Sequence, residues 1–170
     1  MKHRPPLSLH RDETGNLIAG VGPGVGAEFV RAYFPESQTI RIASAYFSLT
    51  GYKIGRLHTD PSIQFHILVG KEDGTSVKKA VLDEIGTELQ GCEEDLWKAV
   101  ADLVERMEAG RFKIRDARSM RVPFHCKFYI CDQKAVWHGS ANFSKNGLFQ
   151  FRTNLRVHGR SRDRAVHPMV

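Results

Sequence analysis

An α/β domain, with a mixed, mostly parallel sheet flanked by helices, is the fold class that this sequence predicts. Three observations carry the prediction. Short runs rich in β-branched and aromatic residues recur ("QTIRIASAYFS", "SIQFHILVG", "RFKIRDA"), and segments of helical period lie between them. The 170 residues, 41% hydrophobic and 26% charged, have ordinary globular composition and enough length to bury a core.

Taken in order, residues 1–23 are rich in Pro, Gly and charge and read as an N-terminal loop or arm. Their end, "GVGPGVG", has neither the GxGxxG spacing of a dinucleotide loop nor a following Lys-Ser/Thr pair, so it reads as a loop into a helix. "GAEFVRAYFP" is then a short helix stopped by Pro35, "QTIRIASAYFS" a strand, "GYKIGRLHT" a brief helix and "SIQFHILVG" a second strand ending at Gly70.

From Ser76 the period changes. Val77, Ala80, Val81 and Ile85 fall on one helical face, and Leu96, Val100, Leu103, Val104 and Met107 on another, which predicts two amphipathic helices broken near "QGC" and stopped at Gly110. Trp97 is expected on the apolar side of the second, in the core. Three strands follow, "RFKIRDA", "PFHCKFYICD" and "KAVWHG", and "SANFSKNGLFQ" is a loop entering a helix. The domain is expected over residues 24–155, with residues 156–170 a basic C-terminal tail holding four arginines, read as a solvated end or as an arm on phosphates.

Composition limits the function classes. Lys and Arg total 25 against 19 Asp and Glu, a formal charge of +6 that suits a polyanionic partner such as nucleic acid. No apolar h-region follows the basic start and no run of about 18 apolar residues occurs, so neither export nor a membrane span is expected. Cys92, Cys126 and Cys131 lack CxxC spacing; free thiols, buried in the core, and a cytoplasmic location are the expectation.

The chemistry concentrates in "FHCKFYICDQKAVWHGSANFS", where His125, Lys127, Asp132, Gly139, Ser140 and Asn142 interrupt a strand-like alternation. Alternation puts His125 and Lys127 on one face and sends Cys126 and Phe128 the other way, into packing. A face with imidazole and ammonium together is costly to bury unless it meets an anion, and phosphate is the natural one. Gly139 permits a sharp turn, after which Ser140 and Asn142 offer short polar side chains to the same point.

This spacing resembles the HxKxxxxDxxxxxxGSxN signature, the HKD motif of the phospholipase D superfamily. "IRIASAYFS" and "IQFHILVG" are similar to that family's early strands. The resemblance implies a phospholipase D-like domain and phosphodiester cleavage with no metal and no cofactor. One histidine attacks phosphorus to form a phosphohistidine, and a second protonates the leaving oxygen.

Carried over, His125 is that histidine, Lys127 and Asn142 bind phosphate oxygens, and Ser140 supports the site. Asp132 counts with the motif's site residues and, at a strand end, is expected to be structural. An imidazole is a competent nucleophile near neutral pH, and a fixed ammonium plus an amide stabilise a transferring phosphoryl group.

Of the eight histidines only His125 is followed two residues later by lysine, so the chain carries one motif where the mechanism needs two. Single-motif members of the family form dimers, and a homodimer sharing its site is the simplest completion; a partner chain within a larger complex is the other. The resemblance implies an Asn-x-Glu about eleven residues after the motif Asn, with the Glu orienting a histidine, where this chain has Phe151 and Thr153. That departure predicts weakened activity unless another carboxylate, such as Glu72 or Asp73, substitutes.

The sequence therefore predicts a phospholipase D-like endonuclease acting on DNA or RNA. The alternative is a catalytically impaired nucleic-acid-binding subunit of a larger defence or repair assembly. A phospholipid hydrolase is disfavoured, since no interfacial apolar helix with a basic face is apparent. Lys113, Arg115 and Arg121, with Arg111 and Arg118, precede the motif. They suit a backbone-tracking stripe beside the site or the charged edge strand of a sheet. His125, Cys126, Cys131 and His138 lack finger spacing, which argues against a zinc cluster. Trp137 is expected inside a strand, with a role flanking the site left open.

Overall fold

In a computed structural model, the described residues are 8–11, 13, 17–22, 24–70, 77–90, 94–117, 126–139, 141–149 and 153–157. Strands β1 (Ser8–Arg11), β2 (Leu17–Gly22), β3 (Thr39–Ser44), β4 (Gln64–Val69), β5 (Phe112–Asp116), β6 (Phe128–Cys131), β7 (Ala135–His138) and β8 (Thr153–Val157) form one eight-stranded sheet. Their order is β1-β2-β8-β7-β6-β3-β4-β5. Helices α1 (Val25–Tyr33), α2 (Leu49–Arg56), α3 (Val77–Leu89), α4 (Glu94–Glu108) and α5 (Lys145–Phe149) complete the α/β fold.

The sheet is mixed, as the sequence predicts, but not mostly parallel. Among the described strands only β3–β4 and β4–β5 pair in parallel, and the other five pairings are antiparallel. The physical reason is connection length. Helical crossovers join β3 to β4 and β4 to β5, whereas the three residues between β6 and β7 can only fold the chain back on itself. The expected loop over residues 1–23 likewise contains two strands, which pair with each other and, through β2, with β8.

Alternation along the strands separates two faces. Ile40, Ile42, Phe65, Ile67, Phe112, Tyr129, Cys131, Ala135 and Trp137 are buried against the helices. Phe29 of α1 meets Tyr129 and Trp137, and Tyr52 of α2 meets Phe65 and Phe112 edge-on at 5.6 and 5.4 Å. Each such ring removes enough apolar surface from water to contribute about 2–3 kcal/mol, so this face is where the stability of the fold resides. The opposite face carries Arg41, His66, Lys113, Arg115 and Phe128, which are exposed or half-buried.

Helix α2 starts where Ser48 accepts a hydrogen bond from the Gly51 amide at 3.0 Å. The Glu88 carboxylate of α3 accepts from the amides of Leu49 and Thr50 at 2.5 and 3.1 Å, adding a negative charge at the positive end of the helix.

Helix α4 buries Leu96, Ala99, Leu103 and Arg106, packs Val100 partly against the core, and leaves Val104 and Met107 of the expected set exposed. The cause is Arg106. Its guanidinium donates to Asp102 at 3.1 Å and to the Ile63 carbonyl at 2.8 Å, and lies 5.4 Å from the Phe65 ring centre. These partners let an arginine face inward and rotate Trp97 out to 55% exposure, which corrects the expectation that Trp97 is core. The Tyr52 hydroxyl also donates to Asp102, and burial together with that carboxylate raises its pKa.

Candidate active site

The parallel strands β3, β4 and β5 end on one edge of the sheet, and β6 begins and β7 ends there, since Phe128 pairs with both Ala43 and His138. Lys127 lies immediately before β6 and Gly139 immediately after β7, and the Gly139 amide donates to the Lys127 carbonyl at 3.3 Å. The fold thus brings Lys127, Gly139 and, through Ser44 at the end of β3, Asn142 to a single sheet end. In open α/β sheets, the carboxyl ends of parallel strands are where ligands bind.

Asn142 is held through Ser44, which is fully buried. The Ser44 hydroxyl accepts from the Phe143 amide at 3.0 Å and donates to the Tyr46 carbonyl at 2.6 Å. Its contact with Asn142 Oδ1 is longer, at 3.3 Å. The Asn142 side-chain amide carries two N–H donors, a group suited to holding an anion. From the sheet, the Tyr129 hydroxyl donates to the Ala141 carbonyl at 3.1 Å; burial raises its pKa, so it stays protonated.

Two helix glycines close on the same loop. A Cβ on Gly147 of α5 would lie 2.1 Å from the Asn142 carbonyl oxygen, and one on Gly51 of α2 2.4 Å from that of Phe143. Only glycine lets these backbones approach so closely.

Lys127 is 6% exposed and lies on the helix-covered side of the sheet. The expectation that Cys126 and Phe128 turn into packing is reversed: Cys126 is exposed and Phe128 is 38% exposed, while Lys127, Tyr129 and Cys131 face inward. The alternation is as expected, but the side that faces the core is set by the neighbouring Tyr129 and Cys131, which lack charge and are fully buried, Tyr129 against Phe29 of α1. An ammonium at this depth is stabilised by oxygen partners or by a bound anion.

Asp132 sits at the far end of β6, in the turn to β7, with φ 49°. Its carboxylate accepts from the amides of Thr39 at 2.7 Å and Gln38 at 3.0 Å, and its own amide donates to the Thr39 carbonyl. It ties the β6–β7 turn to the start of β3, the structural role expected of it, and is separated from Lys127 by the whole of β6.

Lys113 and Arg115 are exposed on β5, the edge strand of the sheet, and Arg111 is bridged to Glu105 at 3.5 Å. His125, Ser140, Arg118, Arg121, Phe151, Glu72, Asp73, Cys92 and the segment 158–170 lie outside the described residues. Thr153 belongs to β8, opposite Gly22 of β2. Trp137 is fully buried, 4.3 Å from the Tyr129 ring, and packs the core rather than flanking the site. Cys131 is buried, and that burial pushes its thiol up to about 12.

Sequence reasoning missed Ser44, Gly51 and Gly147. A glycine inside a helical run was the available signal for the last two, because it costs helix stability unless something packs closely against it. Ser44 gave no signal, since a serine ending a strand is ordinary.

Among known proteins, the chain is similar in structure to NucT from Helicobacter pylori. That match has a TM-score of 0.40 and 15% identity, and covers 78% of this chain and 74% of that one. It is also similar to Nuc from Salmonella typhimurium, described as a phospholipase D family member. Here the TM-score is 0.42 and the identity 14%, over 78% of this chain and 72% of that one. No family model matches the chain, and no curated protein matches it.

Proposed function

We propose that the chain is a phospholipase D-type phosphodiesterase, an endonuclease that cleaves DNA or RNA backbones. The observation that carries this reading is the meeting of Lys127, Gly139 and Asn142 at one sheet end, in a sequence that spaces them with His125 and Ser140 as the HKD motif does. In the proposed reaction an imidazole nitrogen of His125 attacks phosphorus, the bond to the leaving oxygen breaks, and a second, protonated histidine gives that oxygen its proton. The second histidine, now neutral, takes a proton from water. The water oxygen attacks phosphorus and the P–N bond breaks, restoring His125.

Lys127 and the Asn142 amide hold the non-bridging oxygens and offset the charge that develops on them. The second histidine is His125 of another copy, which makes the working unit a homodimer. No step calls on a metal or cofactor.

A second reading rests on Thr153 in β8, where the family has Glu. Without a carboxylate to orient the imidazole, the chain binds nucleic acid as a subunit of a larger complex and cuts it slowly or not at all. Single- and double-stranded DNA and RNA, incubated in EDTA with the wild type, His125→Ala and Thr153→Glu, separate the two. EDTA-resistant cleavage lost in His125→Ala supports the enzyme, whereas binding without cleavage, unchanged in His125→Ala, supports the subunit. Among the described residues no helix is long and apolar enough to cross a membrane.

A further inference from the structure

Among the described residues, helices α1 and α2 pack on one face of the sheet through Phe29 and Tyr52, and the opposite face collects cations. Arg41 of β3 pairs with His66 of β4, which pairs with Lys113 of β5, so three basic side chains form a row across neighbouring strands. At the spacing of paired strands this row spans about 10 Å. The adjacent row toward the site end reads His138, Phe128, Ala43, Leu68 and Arg115.

Arg41, Lys113 and Arg115 are exposed, and no carboxylate among the described residues pairs with them. His66 senses all three: its pKa is lowered by burial and then by Lys113, Arg41 and Arg115. Its Nε2 has no hydrogen-bond partner among the described residues. In the second row Phe128 is 38% exposed and its ring lies 6.2 Å from that of His138. Phe128 directly follows Lys127, so this aromatic pair marks the same sheet end as the candidate site.

We propose that this open face binds single-stranded nucleic acid, with Arg41, Lys113 and Arg115 on its phosphates and Phe128 stacking on a base next to the site. The inference rests on the reading of the chain as a nucleic-acid phosphodiesterase and names the form of its substrate. A cationic surface with a flat aromatic at one end is the combination that takes a strand with unstacked bases. A duplex keeps its bases stacked and offers Phe128 nothing to stack on.

The test uses full-length protein with His125→Ala in every sample, so that the probe stays intact. Fluorescence anisotropy then follows a labelled short oligo(dT), and a duplex of the same length, over a range of salt. The combined Arg41→Ala, Lys113→Ala and Arg115→Ala variant is expected to bind oligo(dT) at least about tenfold more weakly. Its log–log salt slope should be flatter by about 2, since each phosphate contact in single strands contributes roughly 0.7. Phe128→Ala should weaken binding several-fold with the slope unchanged, and the duplex should bind more weakly than oligo(dT).

Triple-variant binding equal to that of the parent, at an unchanged melting temperature, overturns the proposal, as does a duplex that binds as tightly as the single strand. Hydrolysis of bis(p-nitrophenyl) phosphate by chains that retain His125 keeps this separate from the catalytic reading. A wild type that does not hydrolyse this small diester counts against the phosphodiesterase reading, while the binding comparison still decides the surface.

Discussion

Replacing Gly147 with alanine puts the structure of the site loop to a quantitative test. The new Cβ would meet the Asn142 carbonyl oxygen at 2.1 Å, its nitrogen at 2.7 Å and its carbonyl carbon at 2.9 Å. All three are backbone atoms, so no side chain can swing aside, and either α5 or the Asn142 loop must move. Overpacking of this kind costs about 1–3 kcal/mol. Movement of the loop also takes the Asn142 amide off its Ser44 contact.

Gly86→Ala is the control, because Gly86 lies inside α3 with nothing within 4 Å of the added Cβ and should gain about 0.8–1 kcal/mol of helix propensity. Urea denaturation of both variants beside the wild type, with phosphodiester hydrolysis measured on each, gives the answer. A Gly147→Ala protein as stable and as active as the wild type would refute the close-packing argument.

Ser44→Ala removes the acceptor of the Phe143 amide and the contact to Asn142, and should cost about 1–3 kcal/mol in urea denaturation and lower kcat. Asp132→Ala should lose a similar amount by leaving the Gln38 and Thr39 amides without their carboxylate, yet leave kcat largely unchanged in steady-state assays of the folded protein. Asp102→Ala strands the guanidinium of Arg106, itself 1% exposed, and is expected to lower stability by about 3–5 kcal/mol in the same denaturation assay. In Cys92→Ser protein at pH 8, a thiol reagent should label Cys126 and spare Cys131 until the chain is unfolded. Because folding raises the Cys131 pKa, its stabilising effect is complete below the unfolded value near 9. It is lost as pH rises toward about 12, and a Cys131→Ala variant should show a flatter decline over that range.

The alternation of elements from α1 to β7 was legible because hydrophobic period distinguishes strand from helix locally. Sheet direction was less so: β3, β4 and β5 are parallel as expected, but the turn at Asp132–Lys134 forces β6 and β7 to be antiparallel, and β8 joins β2 across most of the chain. Strands β1 and β2 were hidden because a Gly-rich segment acquires its strand character from that distant pairing. On α4, apolar spacing misplaced Trp97 because the partners that draw Arg106 inward, Ile63 and Phe65, come from another part of the chain. The spacing of the motif residues was readable in the sequence. Their support by Ser44, Tyr129, Gly51 and Gly147 was not, because it consists of contacts between elements distant in sequence.

The measurement that bears most directly on the proposed chemistry is a rapid-quench reaction of the protein with single-stranded nucleic acid in EDTA, stopped with alkali and read by peptide mass spectrometry. The expected result is a phosphoramidate on His125 that carries the retained strand fragment and forms as cleavage begins, together with loss of both adduct and cleavage in His125→Ala. Cleavage that persists in His125→Ala with no adduct on any histidine would contradict it.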